Sequence, residues 1–136
     1  MALLSGGARY GLQACLLLAV ERGAGPVPGA VIARRLGVPP QYLPVVLHRL
    51  KSAGIVAASR GQRGGYRLAR TPARITALAV VEAVDGPLAV AADIGDRDAA
   101  DRLLVRVGSC LHDELSLSLA EILRRHGTEA PPMFHI

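Results

Sequence analysis

The sequence predicts a mainly α-helical domain that carries one small β-hairpin. Hydrophobic residues make up 51% of the 136-residue chain, but aromatic residues make up only 3%. A core of Leu, Val, Ile and Ala favours packed helices over an aromatic-rich β-sandwich. Apolar residues recur at helical spacing in several short segments, and one arginine- and glycine-rich stretch separates two β-prone segments.

Two helices are predicted at the start of the chain. The first spans about residues 8–21 and is buried on more than one face, because its apolar residues extend beyond a single stripe. The second spans about residues 28–36 and ends at Gly37, which suits a left-handed helix cap, with Val38 as the apolar residue after the cap. The stripe of the first helix consists of Leu12, Cys15, Leu16 and Ala19.

A third helix is predicted over about residues 40–53. Pro44 is awkward there because it removes a backbone hydrogen bond, and it is tolerable only near the helix start. The second and third helices, joined by a Gly-Val-Pro turn, form a helix-turn-helix candidate whose core the first helix completes. The inward face of the third helix consists of Leu43, Val46, Leu47 and Leu50.

A β-hairpin is predicted directly after the third helix. Strands 55–59 and 66–69 flank a loop, residues 60–65, whose three glycines permit positive φ angles and close backbone approach. A hairpin attached to a helix-turn-helix in this way is called a wing. The sequence therefore predicts a winged helix-turn-helix fold with arginines on a thin projection.

The C-terminal part is predicted to hold a helix at 76–84, an acidic loop at 88–100, a short helix at 101–107 and a last helix at 111–125. The small domain is complete before the last helix, so the apolar stripe of that helix needs another surface to cover. We expect a second copy of the chain, which makes this a dimerisation helix; the alternative is that it folds back on its own domain. The stripe consists of Leu111, Leu115, Leu119 and Ile122.

Four regions follow from these elements. The longest apolar run, residues 14–20, is too short to cross a bilayer and has no signal-peptide cleavage pattern after it. We therefore expect a cytoplasmic protein without a membrane partner. The regions are a winged helix-turn-helix domain (1–87), a loop or sensor region (88–110), a dimerisation helix (111–126) and a flexible tail (127–136).

The charge is unevenly distributed along the chain. Residues 1–74 contain eleven Lys and Arg against one acid, a net charge of +10, whereas residues 75–136 contain five Arg against ten acids, a net charge of −5. The basic half suits a polyanion, because each neutralised phosphate releases condensed counterions. A basic surface that meets only solvent is the alternative. We expect double-stranded DNA as the partner of this half.

The third helix and the hairpin supply the predicted DNA contacts. The second helix of such a motif enters the major groove, where Gln41 can pair with adenine and Tyr42 can contact a base or a phosphate. The cationic hairpin suits a narrow minor groove. Backbone contacts are expected from Arg9, His48, Arg49 and Lys51, and wing contacts from Arg60, Gly61, Arg63, Gly64, Gly65, Tyr66 and Arg67.

The hairpin sequence also resembles that of a known family. The resemblance is strongest over the run Arg60-Gly61-Gln62-Arg63-Gly64-Gly65-Tyr66-Arg67-Leu68-Ala69, with weaker matches at Gly7–Leu12 and Glu82–Leu88. These residues resemble the Rrf2-type bacterial winged helix-turn-helix regulators, the family that includes IscR, NsrR and CymR. The resemblance covers about residues 5–90 and implies a homodimeric repressor on a pseudo-palindromic operator, with the third helix in the major groove and the wing in the minor groove.

The resemblance breaks at the cysteines. Iron–sulfur members of this family carry three cysteines before the last helix, but residues 90–112 contain only Cys110, with His112 close by. An iron–sulfur cluster needs four ligands, so Asp93, Asp96 or a partner subunit would have to supplement these two. We therefore expect no cofactor, and the cluster is kept only as an alternative.

Other sensing modes stay open. One is a thiol switch at Cys110, because a thiol near a helix start can have a lowered pKa. Cys15 is first of all a small core residue, and a bridge between Cys15 and Cys110 would require close approach. An inert Cys110 and a small ligand in the dimer cleft are the remaining alternatives.

Two functions from different classes fit the sequence. The prediction is a sequence-specific transcriptional regulator that acts as a repressor, because the basic half of the chain suits DNA. The alternative is a winged-helix protein-interaction module that does not bind DNA. An enzyme is not expected, because the histidines form no triad or metal spacing with the cysteines and acids. Those histidines are His48, His112, His126 and His135.

Overall fold

The computed structural model describes residues 2–127, and the predicted flexible tail lies outside the described residues from position 128 onward. Within them, six α-helices and one two-stranded antiparallel sheet confirm the predicted fold class. A short 3-10 helix precedes the fourth α-helix. The elements are α1 (Gly6–Val20), α2 (Gly29–Leu36), α3 (Leu43–Ser52), β1 (Val56–Ser59), β2 (Gly65–Leu68), α4 (Ala77–Asp85), α5 (Ala99–Leu115) and α6 (Leu119–His126).

Helix α1 is fixed at its start by a side-chain cap. The Ser5 hydroxyl accepts a hydrogen bond from the Ala8 N–H at 3.0 Å, which satisfies one of the free donors at a helix N-terminus. The Ser5 N–H in turn donates to the Asp85 carboxylate at 3.0 Å. Since Asp85 is the last residue of α4, this bond joins the start of α1 to the end of α4.

The helix-turn-helix forms with one change from the prediction. Helix α2 ends at Gly37 with φ 67°, and the N–H of the buried Val38 donates to the Ala33 carbonyl at 3.0 Å, as the predicted cap requires. Helix α3, however, begins at Leu43 rather than near residue 40. Pro44 is therefore the second helical residue, where its missing N–H costs no intrahelical bond.

The wing is anchored to the residues before α2. Strands β1 and β2 pair in the register Val56↔Leu68 to Ser59↔Gly65. Val27 adds a bridge on the other side of β2, because the N–H of Val27 and that of Tyr66 each donate to the other's carbonyl at 2.8 Å. A side chain at Gly65, whose φ is +150°, would collide with the Val27 backbone, so this close approach requires glycine.

The C-terminal part differs from the prediction. Where the sequence suggested a loop to residue 100 and a short helix at 101–107, the chain forms the single 17-residue helix α5. Asp98 caps it, since its carboxylate accepts from the Asp101 N–H at 2.9 Å. The predicted helix 111–126 is wrong as one element, because the chain turns after Leu115 and α6 begins at Leu119.

Helix α6 folds back onto its own domain. The Leu119 N–H donates to the Ile75 carbonyl at 2.8 Å and the Ala77 N–H donates to the Leu117 carbonyl at 3.0 Å. Leu119 is 0% exposed within the core, and Ile122 packs against that core. The predicted dimer contact at Leu119 is therefore wrong, because this side chain is fully buried within its own chain, whereas the contact at the partly exposed Ile122 stays a prediction.

Helices α1–α4, strand β1 and helix α6 enclose one aliphatic core. Its largest fully buried side chains include residues of α2, α3 and α6, so the core joins the helix-turn-helix to the C-terminal helix. Within residues 2–127, no helix combines the length and the apolar character needed to cross a membrane. The largest of these side chains are Ile32, Leu43, Leu47, Leu50, Ile55, Ile75 and Leu119.

Truncation of Leu119 tests the back-folded α6. We expect Leu119→Ala to lower the free energy of unfolding by about 2–5 kcal/mol, because the change leaves a cavity in the core. Urea denaturation followed by circular dichroism measures the loss. Leu3→Ala is the control, since Leu3 is 54% exposed, and it should leave the midpoint almost unchanged. Equal midpoints for the two variants would contradict the placement of α6.

Candidate nucleic-acid interface

Helix α3 has one face in the core and one in solvent. The buried face consists of Leu43, Val46, Leu47 and Leu50. On the opposite face Val45 is 53% exposed, and His48 and Lys51 are also exposed. The aliphatic stripe thus fixes which side chains of this helix can meet a partner. The sequence alone predicted no role for Val45.

Gln41 and Tyr42 lie in the turn before α3 rather than in the helix itself. Both are exposed, and Tyr42 is the N-cap residue. The Tyr42 ring packs edge-on against Tyr10 of α1, with 5.8 Å between ring centroids and 76° between ring planes. An edge-to-face pair is a favourable aromatic geometry, so Tyr10 helps to position Tyr42. No local pattern in the sequence predicts this pairing, because Tyr10 and Tyr42 lie in separate elements.

Arg49 has a structural role that the sequence did not indicate. Its Nη1 donates to the Val84 carbonyl at 2.7 Å, near the C-terminus of α4. A guanidinium at this position satisfies a helix-terminal carbonyl and complements the negative end of the helix dipole. The bond holds α3 against α4. The predicted phosphate contact of Arg49 stays a prediction for its other N–H groups.

The wing presents its arginines to solvent. Arg60 and Arg63 are exposed in the loop, and Arg67 is exposed on β2 with its Nη1 3.4 Å from the Ser59 hydroxyl. A side chain at Gly64 would collide with backbone atoms of the turn, so the tight loop depends on this glycine. Arg9 is also exposed, near the start of α1.

The positive charge of this half is left largely uncompensated. No Asp or Glu occurs between Arg22 and Val81, a stretch that contains both helix-turn-helix helices and the wing. Among the described residues, the one ion pair in this half joins Arg35 to Glu21 at 2.8 Å. In the C-terminal half, Asp96, Asp101 and Glu121 each pair with an arginine of that half.

Helix α5 carries the sensor candidates on two different faces. His112 faces its own domain, since its Nε2 lies 3.2 Å from the Leu88 carbonyl oxygen. Leu103 lies nine residues earlier, which places it on the opposite side of the helix. Leu103 is 60% exposed and Val107 is 45% exposed, and Cys110 is exposed on the same side.

An arginine–aspartate clasp closes the loop before α5. The Arg97 Nε lies 2.8 Å from a carboxylate oxygen of the buried Asp101, and the Arg97 N–H donates to the same oxygen at 3.0 Å. The Arg97 Nη2 also donates to the Asp93 carbonyl at 2.8 Å. The hydrogen bond from the Arg97 side chain lowers the pKa of Asp101 below its usual value of 3.8.

The two cysteines differ sharply in environment. Cys15 is 0% exposed, and burial raises the pKa of its thiol to about 12. It is therefore a protonated core residue near neutral pH, which overturns its inclusion among the sensor candidates and leaves no accessible sulfur for a bridge. Cys110 is exposed.

The side chains near Cys110 do not fit an iron–sulfur cluster. Within residues 2–127, no three His, Cys, Asp or Glu side chains are arranged to hold a metal ion. His112 already contacts the Leu88 carbonyl, while Asp93 and Asp96 lie 4.0 and 3.6 Å from the guanidinium groups of Arg97 and Arg102. One free thiol falls short of the mostly thiolate ligand set that such clusters use.

Comparison with known proteins identifies the family. Residues 4–126 match the Rrf2 family, described as "Iron-dependent Transcriptional regulator". The chain belongs to the Rrf2 family. Among Rrf2 relatives, the transcriptional regulator CymR of Bacillus subtilis is 31% identical over 131 residues, covering 94% of this chain and 95% of CymR. IscR of Sodalis glossinidius is 38% identical over 117 residues, covering 85% of this chain and 69% of IscR.

Solved Rrf2 structures have the same fold. The structure of CymR, the global cysteine regulator of B. subtilis, superposes with a TM-score of 0.83 at 31% identity, covering 92% of this chain and 98% of that one. T. potens IscR superposes with a TM-score of 0.79 at 29% identity, covering 98% and 96%. The protein is thus a DNA-binding helix-turn-helix regulator of transcription, in a family of regulators rather than enzymes.

The clasp predicts a pH-dependent contribution to stability. Because the Asp101 pKa is lowered in the folded state, ionised Asp101 stabilises the fold above its ordinary pKa of 3.8. This stabilisation is lost as the pH falls through the lowered pKa. Asp101→Asn should therefore reduce Tm at pH 7, and the difference from the wild type should shrink toward pH 3.

Thermal unfolding across that pH range measures the effect. Asp113→Asn is the matched control, an exposed carboxylate on the same helix, and its difference from the wild type should be small throughout. A Tm difference for Asp101→Asn that is as large at pH 3 as at pH 7 would show that the carboxylate charge is not what stabilises this loop.

Proposed function

We propose that the protein is a transcriptional repressor that binds a pseudo-palindromic operator as a homodimer. Helix α3 enters the major groove of each half-site and the wing contacts the adjacent minor groove. In this proposal Gln41 and Tyr42 contact bases, while His48, Lys51, Arg60 and Arg63 lie near phosphates or in the minor groove. The Rrf2 relatives are transcriptional regulators, which supports this class of function.

The observation that carries the proposal is the uncompensated charge of the DNA-facing half. The 60 residues from Arg22 to Val81 contain no acid, and the wing arginines are exposed. Neutralising DNA phosphates releases condensed counterions, so such a surface gives strong and salt-dependent affinity for DNA. A protein-interaction surface would not need a charge of one sign over so much of the fold.

Helix α5 is the surface that we propose for dimerisation. It spans 17 residues, yet Asp101 is its only buried residue, and its contacts within the chain are mainly with α4. Leu103 and Val107 leave an exposed apolar stripe that continues toward Leu111. A second copy related by a two-fold axis would cover this stripe and place two α3 helices on one operator. The dimer contacts at Leu111 and Leu115 stay predictions.

One measurement tests whether the regulator senses a signal through a metal cluster or through a thiol. An anaerobic ultraviolet–visible spectrum of the purified protein, with iron and thiol assays, separates a cluster-bound form from a metal-free one. Cys110 is the thiol that an oxidant can reach, because Cys15 is fully buried. Run-off transcription from promoters that carry a selected operator then distinguishes a repressor from an activator.

Removal of one wing charge tests the DNA interface. Arg63→Ala should weaken binding to most DNA sequences and reduce the slope of log affinity against log salt by about one per subunit, or about two for the dimer, since each subunit loses one phosphate contact. Fluorescence anisotropy over a salt series measures it. Arg125→Ala on α6 is the control, because Arg125 pairs with Glu121 in the acidic half. A wild-type affinity that hardly responds to salt would favour the protein-interaction module instead.

A charge on α5 tests the dimer. Val107→Glu should convert the dimer to a monomer, because a carboxylate in an apolar interface loses its hydration. Val105→Glu is the matched control: Val105 is exposed on the same helix but points to another side, and this variant should remain dimeric. Light scattering measures the mass, and operator affinity should fall only for Val107→Glu. Two dimeric variants would refute α5 as the interface.

A further inference from the structure

The start of α3 presents an apolar patch to solvent. We define the apolar patch as Tyr42, Pro44 and Val45, all of which are exposed. Tyr42 and Val45 are each 53% exposed. The patch occupies the part of the motif that enters the major groove, where base edges carry sequence information.

Val45 lies at the centre of the outward face of α3. Its neighbours Leu43, Val46 and Leu47 point into the core. Residues three and four apart share a helix face, so Val45 lies beside His48 and Arg49, and Gln41 of the preceding turn lines the same surface cleft as Val45. Tyr42 is held next to this face by its edge-on contact with Tyr10. The exposed aliphatic side chain of Val45 is therefore well placed to contact a base edge if this face enters the major groove.

The polar groups near the apolar patch favour some base pairs over others. Arginine that forks onto guanine is the commonest specific contact in the major groove, but the Arg49 guanidinium donates to the Val84 carbonyl at 2.7 Å. The ten residues of α3 include no acid that could accept a hydrogen bond from cytosine. His48 and Lys51 lie further along α3, so the groups beside the apolar patch are the Gln41 amide, which suits adenine, and the Val45 methyl groups, which suit the methyl group of thymine.

We propose that Val45, supported by Tyr42, reads the C5-methyl group of a thymine in each operator half-site. The preferred half-site then has a thymine under Val45 and an adenine within reach of Gln41. This inference rests on the proposed function and names the chemical group that the recognition helix selects. The methyl group is recognised by its apolar surface, without a hydrogen bond.

Replacing thymine by deoxyuridine tests the proposal directly, because it removes only the C5-methyl group and leaves base pairing intact. The wild-type protein first selects its operator from random DNA, and each thymine of that operator is then replaced in turn. We expect one position per half-site at which the replacement weakens wild-type binding about three- to fivefold, as expected for one buried methyl group.

The Val45→Ala variant identifies the side chain responsible. It should bind the operator with thymine at that position and the operator with deoxyuridine there with equal affinity. At the other positions, its response to deoxyuridine should match that of the wild type. Val45 is exposed, so the variant should fold, which circular dichroism verifies. Val105→Ala is the matched control, since it removes the same atoms from an exposed valine on α5, and it should retain the wild-type preference for thymine.

Two results would overturn the inference while leaving the proposed function intact. One is a wild-type protein that binds a selected operator but tolerates deoxyuridine at every position. The other is a Val45→Ala variant that keeps the full preference for thymine, which would assign the methyl contact to another residue. If the wild-type protein selects no DNA sequence at all, the proposed function fails and this inference fails with it.

Discussion

The aliphatic face of α3 is the constraint on which the rest of the structure depends. Leu43, Val46, Leu47 and Leu50 are buried together with side chains from α1, α4 and α6. Because these four residues fix the rotation of α3 about its axis, they also determine that Val45 and His48 face outward. The Arg49 bond to the Val84 carbonyl then prevents α3 from sliding along α4. The orientation of the exposed face of α3 is thus a consequence of core packing.

Local signals in the sequence were enough to predict the helix-turn-helix and the wing. Gly37 caps α2 as expected, and the glycines of residues 60–65 support the tight turn between the strands. The contacts that position α3, Tyr42 and the wing join residues far apart in the sequence: Arg49 with Val84, Tyr10 with Tyr42, and Val27 with Tyr66. Such pairs leave no periodic or spacing signal, because each depends on how separate elements pack. They could be described only once the fold was known.

The C-terminal prediction failed for a different reason. The apolar spacing from Leu111 to Leu119 continues through the turn at residues 116–118, so periodicity alone suggested one helix. The capping signal was nevertheless present: Ser118 accepts from the Glu121 N–H at 3.1 Å, in a Ser-x-x-Glu pattern. Asp98 caps α5 in the same way. Helix boundaries here follow from the caps rather than from the apolar pattern.

The bridge between Val27 and Tyr66 has a mechanical consequence. Two backbone hydrogen bonds join strand β2, near the loop of the wing, to a residue just before the helix-turn-helix, so the wing is held in a fixed position relative to the helix-turn-helix. Little conformational entropy then remains to be lost at that joint when the protein docks. Under the proposed function, this fixed separation would favour duplexes whose groove widths already match it.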